Sequence, residues 1–117
     1  MLLGTHSGEL LLLQQVWPCC NAWPEVSERH QRFGIDPREQ LLAQRWARHK
    51  DLAVLGFAHS HPSSAPVPSA TDRKYCFAPA LMLIQGLEQA AAPPTLAGWW
   101  IAGDGAEPLR LPWRMDT

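Results

Sequence analysis

The residues able to do chemistry gather in one stretch of the chain. It runs Gly56-Phe57-Ala58-His59-Ser60-His61-Pro62, then Ser63 to Pro68, then Ser69-Ala70-Thr71-Asp72. In an extended strand, residues two apart point to the same side, so His59 and His61 aim both imidazoles at one point from the strand's end. Asp72 falls in the first turn of the following helix, and the intervening loop is long enough to fold it back to that point. Two imidazoles and a carboxylate make a three-ligand set suited to Zn2+, and catalytic zinc sites keep their fourth position for water. His59, His61 and Asp72 are therefore the expected metal ligands. Ser69 has two readings. Its hydroxyl can cap the helix through the Asp72 backbone N–H, or it can point into the site and donate to an oxyanion on the substrate. Taken singly, His-x-His is common at strand ends and Ser-x-x-Asp is an ordinary helix start. The ordered combination of strand, His-x-His-Pro, loop and Ser-x-x-Asp is much more specific.

His-x-His, seven residues, then Ser-x-x-Asp resembles the JAMM motif of the MPN+ domain metallopeptidases, and Gly-Phe-x-His-Ser-His-Pro looks like its extended form. Pro18-Cys19-Cys20-Asn21, Arg32-Phe33-Gly34-Ile35-Asp36-Pro37 and the helix before Leu52 resemble the short prokaryotic JAB-like proteins. The likeness covers about residues 1 to 87. It implies a cytidine-deaminase-like (JAB/MPN) fold, zinc held by His59, His61 and Asp72, and Ser69 as the catalytic residue at the oxyanion. The implied activity is zinc-dependent hydrolysis of a peptide or isopeptide bond at the C-terminal tail of a ubiquitin-like or sulfur-carrier protein. The resemblance also implies a Glu, as general base, just upstream of a Gly-Leu-Leu-Gly-like strand. Met1-Leu2-Leu3-Gly4 resembles that strand, and no residue of this chain matches the Glu. Three explanations stand: a start upstream of Met1, with the family's N-terminal helix missing from these 117 residues; a substitute carboxylate, of which Glu9, Glu25 and Glu28 are nearest in sequence; or a catalytically inactive metal-binding scaffold. The first is favoured. A deaminase on the related fold needs a Cys pair as ligands, and no Pro-Cys-x-x-Cys occurs.

The elements that must position these groups follow from pattern. Met1 to Gly4 and Leu10 to Trp17 read as two strands of a hairpin about a Thr5-His6-Ser7-Gly8 turn, the second buried at one end. Residues 18 to 36 read as loop, with a short strand near Arg32 to Ile35. Asp36-Pro37-Arg38-Glu39 is a helix start with Asp36 as N-cap and Glu39 at the capping-box position. Leu41, Leu42, Arg45, Trp46 and His49 follow at one-face spacing. Leu52 to His59 is a nearly all-apolar strand of the kind buried on both faces. A short helix follows Ser69 toward Phe77, and Ala80 to Leu87 and Leu96 to Ala102 are strands around a loop at 88–94. Leu109 to Leu111 is the last strand. The order β-β-α-β-α-β-β-β predicts an α/β class, a single-domain mixed β-sheet flanked by helices.

Composition limits the partners. Ten Lys+Arg against eleven Asp+Glu give a formal charge of −1, so nothing draws the whole molecule to nucleic acid or to an anionic membrane. The longest apolar run, Leu10 to Leu13, is far short of a membrane span, and no signal-like order of segments opens the chain. A cytoplasmic protein with reduced Cys19, Cys20 and Cys76 is the expectation, and a homodimer stays open. His6 and His30 read as solvated, His49 as a favourable charge at a helix C-terminus, and Cys76 as core. Trp99 and Trp100 face opposite sides of their strand, one of them toward the core. Arg73-Lys74 reads equally as a solvated helix face or as a steering patch for an acidic partner.

Overall fold

The computed structural model describes residues 1–30, 32–61, 64–87, 95–103 and 105–115. Pro62 of the motif and the loop expected at 88–94 lie outside the described residues. The chain divides into two units, Met1–Gly56 and Phe57–Thr117.

The first unit opens with strands β1 (Leu2–Ser7) and β2 (Leu10–Val16), paired antiparallel from Leu2↔Val16 to Ser7↔Leu10. The turn is tighter than the sequence pattern predicts. Thr5, His6 and Ser7 continue the strand, and the reversal is made by Gly8 and Glu9. Gly8 adopts φ +60°, which a two-residue II′ turn requires at its first position. The register shifts between Leu3 and Gly4, where any Cβ on Gly4 would collide with the Leu12 carbonyl. β1 also pairs antiparallel with the start of β3 (Ala53–His61), at Leu2↔Gly56 and Gly4↔Ala53.

Helix α1 (Pro37–His49) begins as its sequence predicts, with the Asp36 carboxylate accepting the Arg38 N–H at 2.9 Å and Pro37 in the first turn. Glu39 does not close the expected capping box; it accepts the Trp17 Nε1–H at 2.7 Å. The buried face is also different. Ala43 and Ala47 are fully buried, whereas Leu41 and Leu42 are about half exposed. Trp46 packs against Trp17, edge to face at 5.8 Å. With Leu2 and Leu3 these alanines form the fully buried part of the unit. The strand expected near Arg32 to Ile35 is not formed. That segment is instead tied down by Asn21, whose amide donates to the Arg29 and Arg32 carbonyls and accepts from the Trp23 and Gly34 N–H groups.

In the second unit β4 (Ala80–Gly86) pairs antiparallel with β5 (Thr95–Ile101) over seven residues, and β5 with β6 (Leu109–Leu111). The Leu87 N–H donates to the His61 carbonyl at 3.0 Å. This joins the C-terminal ends of β3 and β4, so the two strands run the same way, crossing over through the short helix α2 (Ala70–Lys74). Met82, Ile84 and Ile101 are the core here, with Cys76, Ala78 and Trp99 packed against them. One parallel neighbour pair among antiparallel ones makes the mixed sheet of the expected α/β class, in strand order β2-β1-β3 in the first unit and β3-β4-β5-β6 in the second.

Two burial expectations fail. β2 is exposed along nearly its whole length, with Leu10 at 64% and Val16 at 57%, and lies at the sheet's edge with one neighbour. β3 is buried only at Leu55 and Gly56; toward its end it alternates. No helix of the described residues is long and apolar enough to cross a membrane.

Candidate metal centre

β3 runs two residues further than its apolar stretch and carries both histidines. Beyond Gly56, Phe57, His59 and His61 are half-buried while Ala58 and Ser60 are exposed, as the two-residue period of a strand demands. The two Nε2 atoms lie 3.2 Å apart. Each faces the same oxygen of Asp72, Oδ2, at 3.2 Å from His59 and 3.0 Å from His61. The three side chains are only 9–12% exposed, largely sheltered from water.

Asp72 is brought there by the cap of α2. The Ser69 Oγ accepts the Asp72 N–H at 3.0 Å, and Asp72 Oδ2 accepts the Ser69 N–H at 2.9 Å. The capping role of Ser69 is thus directly visible. Its hydroxyl proton is not consumed by that bond, since a hydroxyl accepts and donates independently.

Burial would push the Asp72 carboxyl up, but the hydrogen bond with His59, the Ser69 N–H and the charges of both imidazoles outweigh it and hold the group down to about 2. Asp72 is therefore an anion at any physiological pH, as a metal ligand must be. Donors at the corners of a zinc tetrahedron with bonds of about 2.0–2.1 Å lie about 3.3 Å apart. The observed separations of 3.0–3.2 Å match that edge, and the donor set, two imidazole nitrogens and a carboxylate oxygen, fits zinc. Among the described residues this is the one cluster of three such groups able to hold a metal ion.

The other candidates have settings of their own. Glu9 is exposed in the hairpin turn. Glu25 stands just before a 3-10 turn (Val26–Glu28) without a side-chain bond to it, and Glu28 accepts the Trp23 Nε1–H and pairs with Arg32 at 3.5 Å. All three belong to the first unit. The carboxylates described in the second unit are Asp72 and Glu107, the latter 90% exposed and 3.8 Å from Arg73. Arg73 also donates to the Ala106 carbonyl, and Lys74 lies over the Tyr75 ring, so the helix-face reading of this pair has structural partners. His6, His30 and His49 are exposed.

Sequence reasoning missed the groups behind His61. Its Nδ1 lies 2.9 Å from the Ala65 carbonyl, and the neighbouring Pro66 carbonyl accepts the Trp99 Nε1–H at 2.9 Å. Backbone acceptors carry no residue type, so nothing in the sequence could have marked them.

Residues 5–114 match the sequence profile of the family described as prokaryotic homologs of the JAB domain. The chain belongs to this family. Its fold is similar to that of a Desulfitobacterium hafniense protein solved in solution, with a TM-score of 0.73 and 31% identity over 92% of this chain and 71% of that one. A Salinibacter ruber protein, also solved in solution, gives a TM-score of 0.66 and 27% identity over 95% of this chain and 72% of that one. Part of the chain is similar to the desampylase of Haloferax volcanii, 39% identical over 49 residues, which are 42% of this chain. The match spans about a third (35%) of that relative's length. The JAB family membership expected from His59 to Asp72 is therefore established, together with its fold.

Proposed function

We propose that the chain is a zinc-dependent JAMM-class metallopeptidase or isopeptidase acting at the C-terminal tail of a ubiquitin-like or sulfur-carrier protein. The observation that carries this reading is the convergence of His59 Nε2, His61 Nε2 and Asp72 Oδ2 within tetrahedral-edge distance. Family membership and the partial likeness to a desampylase support it. Zinc held by these three groups would supply a hydroxide nucleophile near neutral pH and polarise the scissile carbonyl. The chain's own residues do the rest. Asp72 contributes negative charge fixed by the Ser69 N–H, and the Ser69 hydroxyl, anchored as the α2 cap, has its proton to donate to oxygen charge developing on the substrate.

Metal analysis tests the site: about one zinc per chain, lost in His59→Ala and in Asp72→Ala. A purified chain that can be neither isolated with zinc nor loaded with it removes the proposal. Turnover is tested separately, on a fusion ending in a Gly-Gly sulfur-carrier tail, using the 117 residues beside a form carrying whatever its reading frame encodes upstream. No residue of the sequence matches the family's Glu, and this favours a second reading, a metal-binding interaction domain without turnover. Zinc binding with no cleavage by either form selects that second reading.

A further inference from the structure

We propose that Trp99 is a positioning residue for the metal centre, acting through the backbone of residues 65–66 to orient the His61 imidazole. The inference rests on the metal-site reading above and extends it to residues with no ligand chemistry of their own. A carbonyl oxygen can only accept, so the 2.9 Å contact between His61 Nδ1 and the Ala65 carbonyl requires the proton to sit on Nδ1. With Nδ1 committed to that carbonyl, Nε2 is the nitrogen left on the side of His59 Nε2 and Asp72 Oδ2, free to give its lone pair to a metal once it carries no proton. A metal-binding histidine needs such a partner on its other nitrogen to set ring angle and tautomer.

The Ala65 carbonyl is itself held from several sides. The Val67 N–H donates to it at 2.8 Å. The next carbonyl, that of Pro66, accepts the Trp99 Nε1–H at 2.9 Å. The Pro66 ring sits against Gly86, where an added Cβ would stand 2.9 Å from the ring's Cδ and 3.0 Å from Thr95 Oγ1. Trp99 in turn is fixed, packed against the Met82, Ile84 and Ile101 core and covered by the Arg110 guanidinium 5.4 Å from its ring centre. The chain of contacts therefore runs core, Trp99, Pro66, Ala65, His61. The His61 carbonyl is separately pinned by the Leu87 N–H, so what Trp99 controls is the ring rather than the strand.

Trp99→Phe keeps the ring and deletes the donor. Trp113→Phe is the matched control, because Trp113 Nε1 also donates to a backbone carbonyl, that of Leu96, at 2.9 Å. Two readouts are needed. The first is the His61 Nδ1–H proton resonance in the metal-free protein, which is expected to be protected from exchange in wild type and in Trp113→Phe and to broaden or vanish in Trp99→Phe. The second is zinc affinity by competition titration, expected to fall about tenfold in Trp99→Phe, the lower end for outer-shell partners, and less than about twofold in the control. Gly86→Ala, which forces Pro66 off its seat from the opposite side, should reproduce both effects if Trp99→Phe folds poorly. A wild-type chain that binds no zinc overturns the metal reading, while the Nδ1–H signal still decides the positioning role. Unchanged Nδ1–H protection in Trp99→Phe and Gly86→Ala, or unchanged affinity in a wild type that does bind zinc, overturns this proposal.

Discussion

At the scale of single residues, one oxygen atom does most of the organising. Asp72 Oδ2 faces two imidazoles and a backbone N–H, and the lowering of its pKa has a measurable sign. A carboxyl that titrates near 3.8 in the unfolded chain and near 2 in the folded one binds protons more readily when unfolded. Its stabilisation is thus complete above pH 3.8 and lost as pH falls through about 2. The urea midpoint of the metal-free protein should decline between pH 4 and 2, and Asp72→Asn should flatten that decline; an equally steep decline in the variant refutes the assignment. Ser69 is separable into its two roles. Ser69→Ala deletes the cap of α2 and should cost about 1 kcal/mol, whereas Ser69→Thr keeps it. Where turnover is measurable, a loss in kcat in the alanine variant, with little change in KM, marks the oxyanion role; parallel losses in stability alone leave Ser69 as a cap.

Among the elements, α1 carries an avoidable cost at its end. The Leu52 N–H reaches back to the Ala47 carbonyl at 2.8 Å and the Asp51 N–H to that of Arg48 at 3.3 Å, a Schellman closure. Asp51 stands at the left-handed position, φ 56°, where glycine is usual. Asp51→Gly removes a strain of about 1–2 kcal/mol and adds about 0.4–1 kcal/mol of unfolded-chain entropy. A net gain of up to about 1.6 kcal/mol in urea unfolding is expected from these two magnitudes, and a lower midpoint would contradict it. The element sequence β-β-α-β-α-β-β-β was legible because its signals are local: Asp36-Pro37, the Ser69 cap and the apolar runs of β4 and β5 each act through neighbours in the chain. The shared side of His59 and His61 was legible for the same reason, through the two-residue period of β3. What could not be read was which face each element buries. Leu41 and Leu42 carry more apolar area than Ala43 and Ala47, yet the alanines are the buried pair. Leu10 to Leu13 looked buried and became an edge, because strand order is a long-range property. Tryptophan bonds to backbone carbonyls were equally invisible.

For the whole molecule, that edge meets a formal charge of −1. β2 is seven residues long, bears no charged side chain, and leaves Leu10, Leu12, Leu13 and Val16 exposed. Edge strands of stable monomers are usually blunted by lysine, proline or a bulge; β2 has only the register shift that skips Gln14, and a near-neutral surface gives little repulsion to keep copies apart. Concentration-dependent association is expected in light scattering, and Leu12→Lys should suppress it while leaving the unfolding midpoint within the range of a surface change, about 0.5 kcal/mol. Association that persists unaltered in Leu12→Lys rules out this edge as its seat. The Ser69–Asp72 cap has a practical consequence of another kind. Because the carboxylate oxygen that closes the helix is also the one facing His59 and His61, drawing its electrons toward a cation must weaken its hold on the Ser69 amide. The chain thus carries its own gauge of occupancy: one backbone amide signal, that of Ser69, whose shift follows loading of the site without label, dye or substrate.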